Sequence, residues 1–83
     1  MVQVNGVSVA GEILVDARGH RCPTPTLRLQ RALRSARPGQ RVRLLADDPM
    51  AMIDVPHFLQ TSGGKLVESS AEDGVLSFLI EAP

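Results

Sequence analysis

Ile13-Leu14-Val15-Asp16-Ala17-Arg18-Gly19-His20-Arg21-Cys22-Pro23-Thr24-Pro25-Thr26-Leu27 carries the sharpest change of pattern in the chain. Ile13-Leu14-Val15 is a short apolar strand, closed by the turn-forming Asp16-Ala17-Arg18-Gly19. After Cys22 a helix begins. Leu29, Ala32, Leu33 and Ala36 share one face at helical spacing, with Arg28, Arg31 and Arg34 largely opposite. Pro38-Gly39 stops it. Leu27 falls off the apolar stripe, near the helix start and a few residues from Cys22.

Outward from this segment, Val42 to Ala46 reads as a second strand. Asp47-Asp48-Pro49 then predicts a helix start, with Asp48 as N-cap and Pro49 at the first helical position. Met52, Ile53, Phe58 and Leu59 are expected to face the core. Pro56 predicts a kink, or a restart capped by Asp54, and Ser62-Gly63-Gly64 ends the segment. Leu66-Val67 and Val75-Ile80 are two further strands, made antiparallel by the Glu72-Asp73-Gly74 turn.

The order strand, helix, strand, helix, strand, strand predicts an α+β fold. Its economical form is a two-layer βαβαββ sandwich, with both helices on one face of a four-stranded mixed sheet. At the N-terminus, Val2, Val4, Asn5-Gly6, Val7 and Val9 allow either a short hairpin or a loose arm. The expected organisation is an arm over residues 1–12 and one domain over 13–83.

The chain has 83 residues, is 43% hydrophobic, and contains only Phe58 and Phe78 as aromatics. Its core must be built from Leu, Val, Ile, Met and Ala. No apolar run approaches the roughly 20 residues of a membrane helix, and no secretory signal pattern opens the chain. A single cysteine forms no internal disulfide, which suits a reducing, cytoplasmic compartment.

Net charge is zero, yet the charges are segregated. Eight arginines and no acid lie between Arg18 and Arg43; from Asp47 onward seven acids face only Lys65. The segment around Cys22 should carry a positive local field.

A residue before proline is driven out of the helical region, and Pro23 suits a first helical position. Cys22 is therefore expected at the N-cap, its sulfur at the open helix end. Pro23 and Pro25 have no N–H, so Thr24 N–H is the backbone donor left for the sulfur, with the Thr24 and Thr26 hydroxyls beside it. The positive helix end, Arg18 and Arg21 favour thiolate over thiol. A lone cysteine in a small domain is ordinarily a buried apolar side chain. Here its neighbours make a loop and a helix start instead.

No hydrolytic machinery accompanies it. His20, two residues away on an extended segment, reads as an exposed loop residue, and His57 as a surface residue. One cysteine with scattered His and Asp does not make a metal site, and no phosphate loop or cofactor motif is present. A thiol that receives and returns a sulfur atom needs no general base. It needs a low pKa, exposure and a recognisable surface.

The pattern Asp16-x-x-Gly19-x-x-Cys22-Pro23-x-Pro25, followed by Pro38-Gly39, Asp47-Asp48-Pro49, Asp54-Val55-Pro56, Phe58 and Lys65-Leu66, resembles the TusA (SirA-like) sulfur carrier family. The resemblance spans Ile13 to Ile80. It implies the βαβαββ fold and a persulfide on Cys22, with no bound cofactor. It implies a cysteine desulfurase or rhodanese-like donor, and a sulfur-accepting protein in tRNA thiolation, molybdenum cofactor maturation or sulfur metabolism. Asp16, Gly19, Arg21, Pro23, Thr24 and Pro25 would shape the active loop. Arg18, Leu27, Arg28 and Arg31 would receive partners, and Asp47, Asp48 and Pro49 would build the second helix start.

Two departures stand out: His20 replaces the usual Leu, and Leu59 stands where some members carry a further cysteine. Without a resolving thiol, an intramolecular redox cycle is not expected. The competing classes are a thiol-based redox sensor, which would need an outside thiol, and a regulatory binding protein using the same cysteine. Direct nucleic-acid binding is opposed by zero net charge and by the lack of an aromatic pair on a strand. A monomer that docks transiently and has no membrane contact is the expected state.

Overall fold

The computed structural model describes residues 8–9, 12–21 and 23–83. Its elements are β1 (Ser8–Val9), β2 (Glu12–Asp16), α1 (Thr24–Ser35), β3 (Arg41–Ala46), α2 (Ala51–Ser62), β4 (Lys65–Glu72) and β5 (Val75–Glu81). The sheet runs β1-β2-β3-β5-β4, with β2 and β3 parallel and all other neighbours antiparallel. The four expected strands form its body. The two-residue β1 adds a fifth, pairing Ser8 with Ile13 and Val9 with Glu12. The Asn5-Gly6 signal lies outside the described residues.

Alternation along the strands selects the buried face. Val42, Leu44 and Ala46 of β3 and Leu76, Phe78 and Ile80 of β5 point into one core with Leu29, Ala51, Val55 and Leu59 of the helices. Ala32, Leu33 and Ala36 pack against it, as the helical spacing predicts. Deleting a side chain such as Leu29, fully buried, would cost about 2–5 kcal/mol. On the opposite side of β3, Arg43 reaches Glu12 (3.3 Å), Ser77 Oγ (2.8 Å) and Glu68 (3.5 Å), binding four strands across the sheet.

Four expectations need correction. β4 is eight residues long, not the Leu66-Val67 pair, because Glu68-Ser69-Ser70-Ala71 is an exposed edge whose backbone pairs without an apolar signature. The second helix begins at Ala51. Before it, Ala51, Met52 and Ile53 N–H groups bond three residues back, to Asp48, Pro49 and Met50 carbonyls, in a tight 3₁₀-like turn. Asp48 still caps, but it caps this turn, its carboxylate accepting Met50 N–H at 3.1 Å.

The same helix continues through Pro56 without a restart at Asp54. Finally, Met52 and Ile53 are 57% and 64% exposed. The true inward stripe is Ala51, Val55 and Leu59, spaced four residues apart.

Candidate functional site

Parallel strands β2 and β3 finish at the same end of the sheet, and each feeds a loop that opens a helix. Among the described residues, the candidate site is formed by 17–21 and 23 from the first loop and 47–50 from the second.

The first loop is shaped by hydrogen bonds that its sequence supplies. Ala17 N–H donates to Leu45 O (2.8 Å), extending the parallel ladder by one step. A turn follows, closed by His20 N–H to Ala17 O (3.2 Å), with Gly19 at φ 85°. A single positive φ at the third turn position is the type II pattern, which selects glycine. Asp16 accepts three bonds from Arg18: from the backbone N–H (3.1 Å), Nε (2.9 Å) and Nη2 (2.7 Å). These bonds hold the Asp16 carboxyl below its ordinary range, against a smaller opposing effect of burial. Arg28 Nη1 adds a bond from α1 to Asp16 O (3.3 Å).

Asp47 ties the two loops together. Its carboxylate accepts Gly19 N–H through both oxygens, at 3.1 and 2.9 Å. Sequence reading gave Asp47 only a part in the second helix start. Nothing local signals the contact, since its partner is 28 residues away and is a backbone group.

Cys22 lies outside the described residues; it is bonded to Arg21 and Pro23, both exposed. Around it, two expectations are corrected. Pro23 is the N-cap (φ −92°, ψ 11°), and the helical proline is Pro25, at the second position. Thr24 N–H is not left for the sulfur: it donates to Arg21 O at 2.9 Å. The first helical bond is Leu27 N–H to Pro23 O (2.9 Å). Pro23 and Pro25, both without N–H groups, shift the start inward by one residue. Pro25 is buried, so it also anchors this end of α1 in the core. Among the described residues, Thr26 Oγ1 is the one buried side-chain oxygen without a partner.

Gly19, His20 and Arg21 face Asp47, Asp48, Pro49 and Met50 across an open cleft. Its rim is partly apolar: Met50 is 48% exposed and Leu27 55%. Ile53 continues the exposed ledge one helical step from Met50. Sequence reasoning assigned Ile53 to the core; its spacing from Val55 and Leu59 was the available sign that it faces elsewhere.

Of the residues expected to receive partners, Leu27 and Arg31 are exposed, whereas Arg18 is engaged with Asp16 and Arg28 is half-buried against β2. No described ion pair involves Arg21 or Arg31. No helix among the described residues is long and apolar enough to cross a membrane.

A strand-loop-helix edge carrying Cys-Pro-x-Pro on a βαβαββ sandwich defines a class, and comparison with known proteins identifies it. The family described as "Sulfurtransferase TusA" matches residues 13–82, and the chain belongs to that family. An Archaeoglobus fulgidus protein is 40% identical over 68 residues, covering 81% of this chain and 88% of its own. The sulfur carrier protein TusA of Allochromatium vinosum is 37% identical over 67 residues, with the same coverages. In three dimensions the chain resembles the crystal structure of the SirA-like protein from Desulfitobacterium hafniense. That match has a TM-score of 0.74 at 28% identity, over 83% of this chain and 95% of the other.

Proposed function

We propose that this chain is a cytoplasmic sulfur carrier that holds sulfane sulfur on Cys22. A donor of desulfurase or rhodanese type presents a persulfide, and the Cys22 thiolate attacks its terminal sulfur. The donor S–S bond breaks, the donor thiolate leaves, and a new S–S bond forms on Cys22. Transfer onward repeats the exchange, with an acceptor thiolate attacking and Cys22 as the leaving group. No electrons are gained or lost overall, so no redox cofactor and no second thiol in this chain are required.

The observation that carries this reading is the placement of the chain's one cysteine between Arg21 and Pro23, in a loop anchored on both sides, within a sulfurtransferase family. Asp16, Gly19 and Arg21 shape that loop before the cysteine; Pro23, Thr24 and Pro25 shape it after. Leu27 and Arg31, with Arg21 and the Met50–Ile53 ledge, form the surface that donor and acceptor proteins meet. Arg18 and Arg28 support the loop and contribute to docking only secondarily.

The test is a relay. The chain is loaded from a desulfurase with cysteine, freed of donor, and mixed with a sulfur-accepting protein. The sulfur carrier loses one sulfur atom and the acceptor gains it. A redox sensor would instead take up oxygen or form a mixed disulfide under peroxide, with no sulfur passed on.

A further inference from the structure

We propose that Asp47 is a positioning residue for Cys22, acting through Gly19 and not on the sulfur. The segment before the cysteine has a tie at each end: Ala17 N–H on Leu45 O, and the Arg21 carbonyl receiving Thr24 N–H. Between them, the bonds of Arg18 and His20 return to their own strand and turn. The Gly19 bond to Asp47 fixes the middle of the loop to the neighbouring strand-helix unit.

Gly19 has open space around its Cβ position, so crowding does not select it. What selects it is the φ of 85°, the conformation in which its N–H meets Asp47. Asp47 also directly precedes the Asp48-Pro49-Met50 turn. The clasp therefore sets the Cys22 loop in register with the Met50–Ile53 ledge, and a partner meeting both encounters one fixed geometry.

Positioning and charge predict opposite results. A carboxylate acting only by its field disfavours a nearby thiolate, so Asp47→Asn and Asp47→Ala would both lower the thiol pKa. A carboxylate acting as a clasp is matched by Asn, which keeps an acceptor oxygen, and not by Ala.

The experiment measures Cys22 alkylation by iodoacetamide against pH, sulfur loading rate and melting temperature for both variants. The expected result is a wild-type alkylation profile and loading rate for Asp47→Asn. For Asp47→Ala, the alkylation midpoint rises and loading falls on the order of ten-fold, as misplaced reacting groups do, with the fold intact. Equal behaviour of the two variants, in either direction, overturns the proposal, as does a change confined to melting temperature.

Wild-type protein supplies a second arm that needs no variant. The Gly19 amide proton, held on the Asp47 carboxylate, should exchange slowly with solvent, and an unprotected amide overturns the contact. The loading arm rests on the sulfur-carrier reading, whereas alkylation does not. Failure of the wild type to load would strike that reading and leave the alkylation comparison standing.

Discussion

Arg18 folds back on Asp16 through both its backbone and its guanidinium, and the consequence is a pH dependence. The folded carboxyl titrates below its ordinary value of 3.8, chiefly because Arg18 bonds to it. A lowered folded pKa gives stability that is present above the ordinary value and lost as pH falls through the folded one. The pair is exposed to solvent, with Arg18 and Asp16 side chains 50% and 34% accessible, so screening keeps its contribution small. Arg18→Ala should therefore lower the melting temperature slightly at neutral pH and flatten the loss of stability below about pH 4. Thermal melts from pH 7 downward, in both proteins, check this. At this scale the turn from Asp16 to Gly19 was legible in the sequence, whereas the bond from Gly19 to Asp47 required the fold.

Elements were readable where pattern and punctuation agreed. The Asp73-Gly74 hairpin formed as read, with φ of 52° and 79° at its two central residues, the type I′ combination. The helix starts were displaced by one or two residues, because proline-rich segments satisfy their first backbone groups in tight turns that spacing alone does not reveal. The polar edge strand β4 was read short because an edge needs backbone partners more than apolar side chains. In α2, large Met52 and Ile53 outweighed small Ala51 in the sequence reading, yet Ala51 is the buried one, at 0% exposure.

One element junction makes a sharp prediction. A Cβ on Gly64 would stand 3.0 Å from Leu59 Cδ2 and 3.3 Å from Ile80 Cγ2, where the end of α2 meets β5. Gly64→Ala should cost about 1 kcal/mol or more by overpacking, lowering the melting temperature by roughly 4–8 °C per kcal/mol. An unchanged melt would mean that Leu59 gives way freely.

Across the whole molecule, zero net charge conceals a basic half around the site and an acidic half beyond Asp47. The basic loop and the α1 surface favour a partner whose docking face is acidic, and such association weakens as salt rises. Arg31→Glu should slow sulfur loading at low salt and reduce its salt dependence, while Cys22 alkylation by the neutral iodoacetamide stays unchanged. Loading rates across an ionic-strength series check this. If alkylation falls in parallel, Arg31 acts on the loop and not on docking.

The central claim, that Cys22 carries the sulfur, is tested most directly by intact mass spectrometry of the wild type and Cys22→Ser. Each is incubated with a desulfurase plus cysteine, and separately with a rhodanese plus thiosulfate. The account predicts a gain of one reductant-labile sulfur atom on the wild type from at least one donor, and none on the variant. Loading that persists in Cys22→Ser, or a wild type that gains no sulfur from either donor, would contradict it.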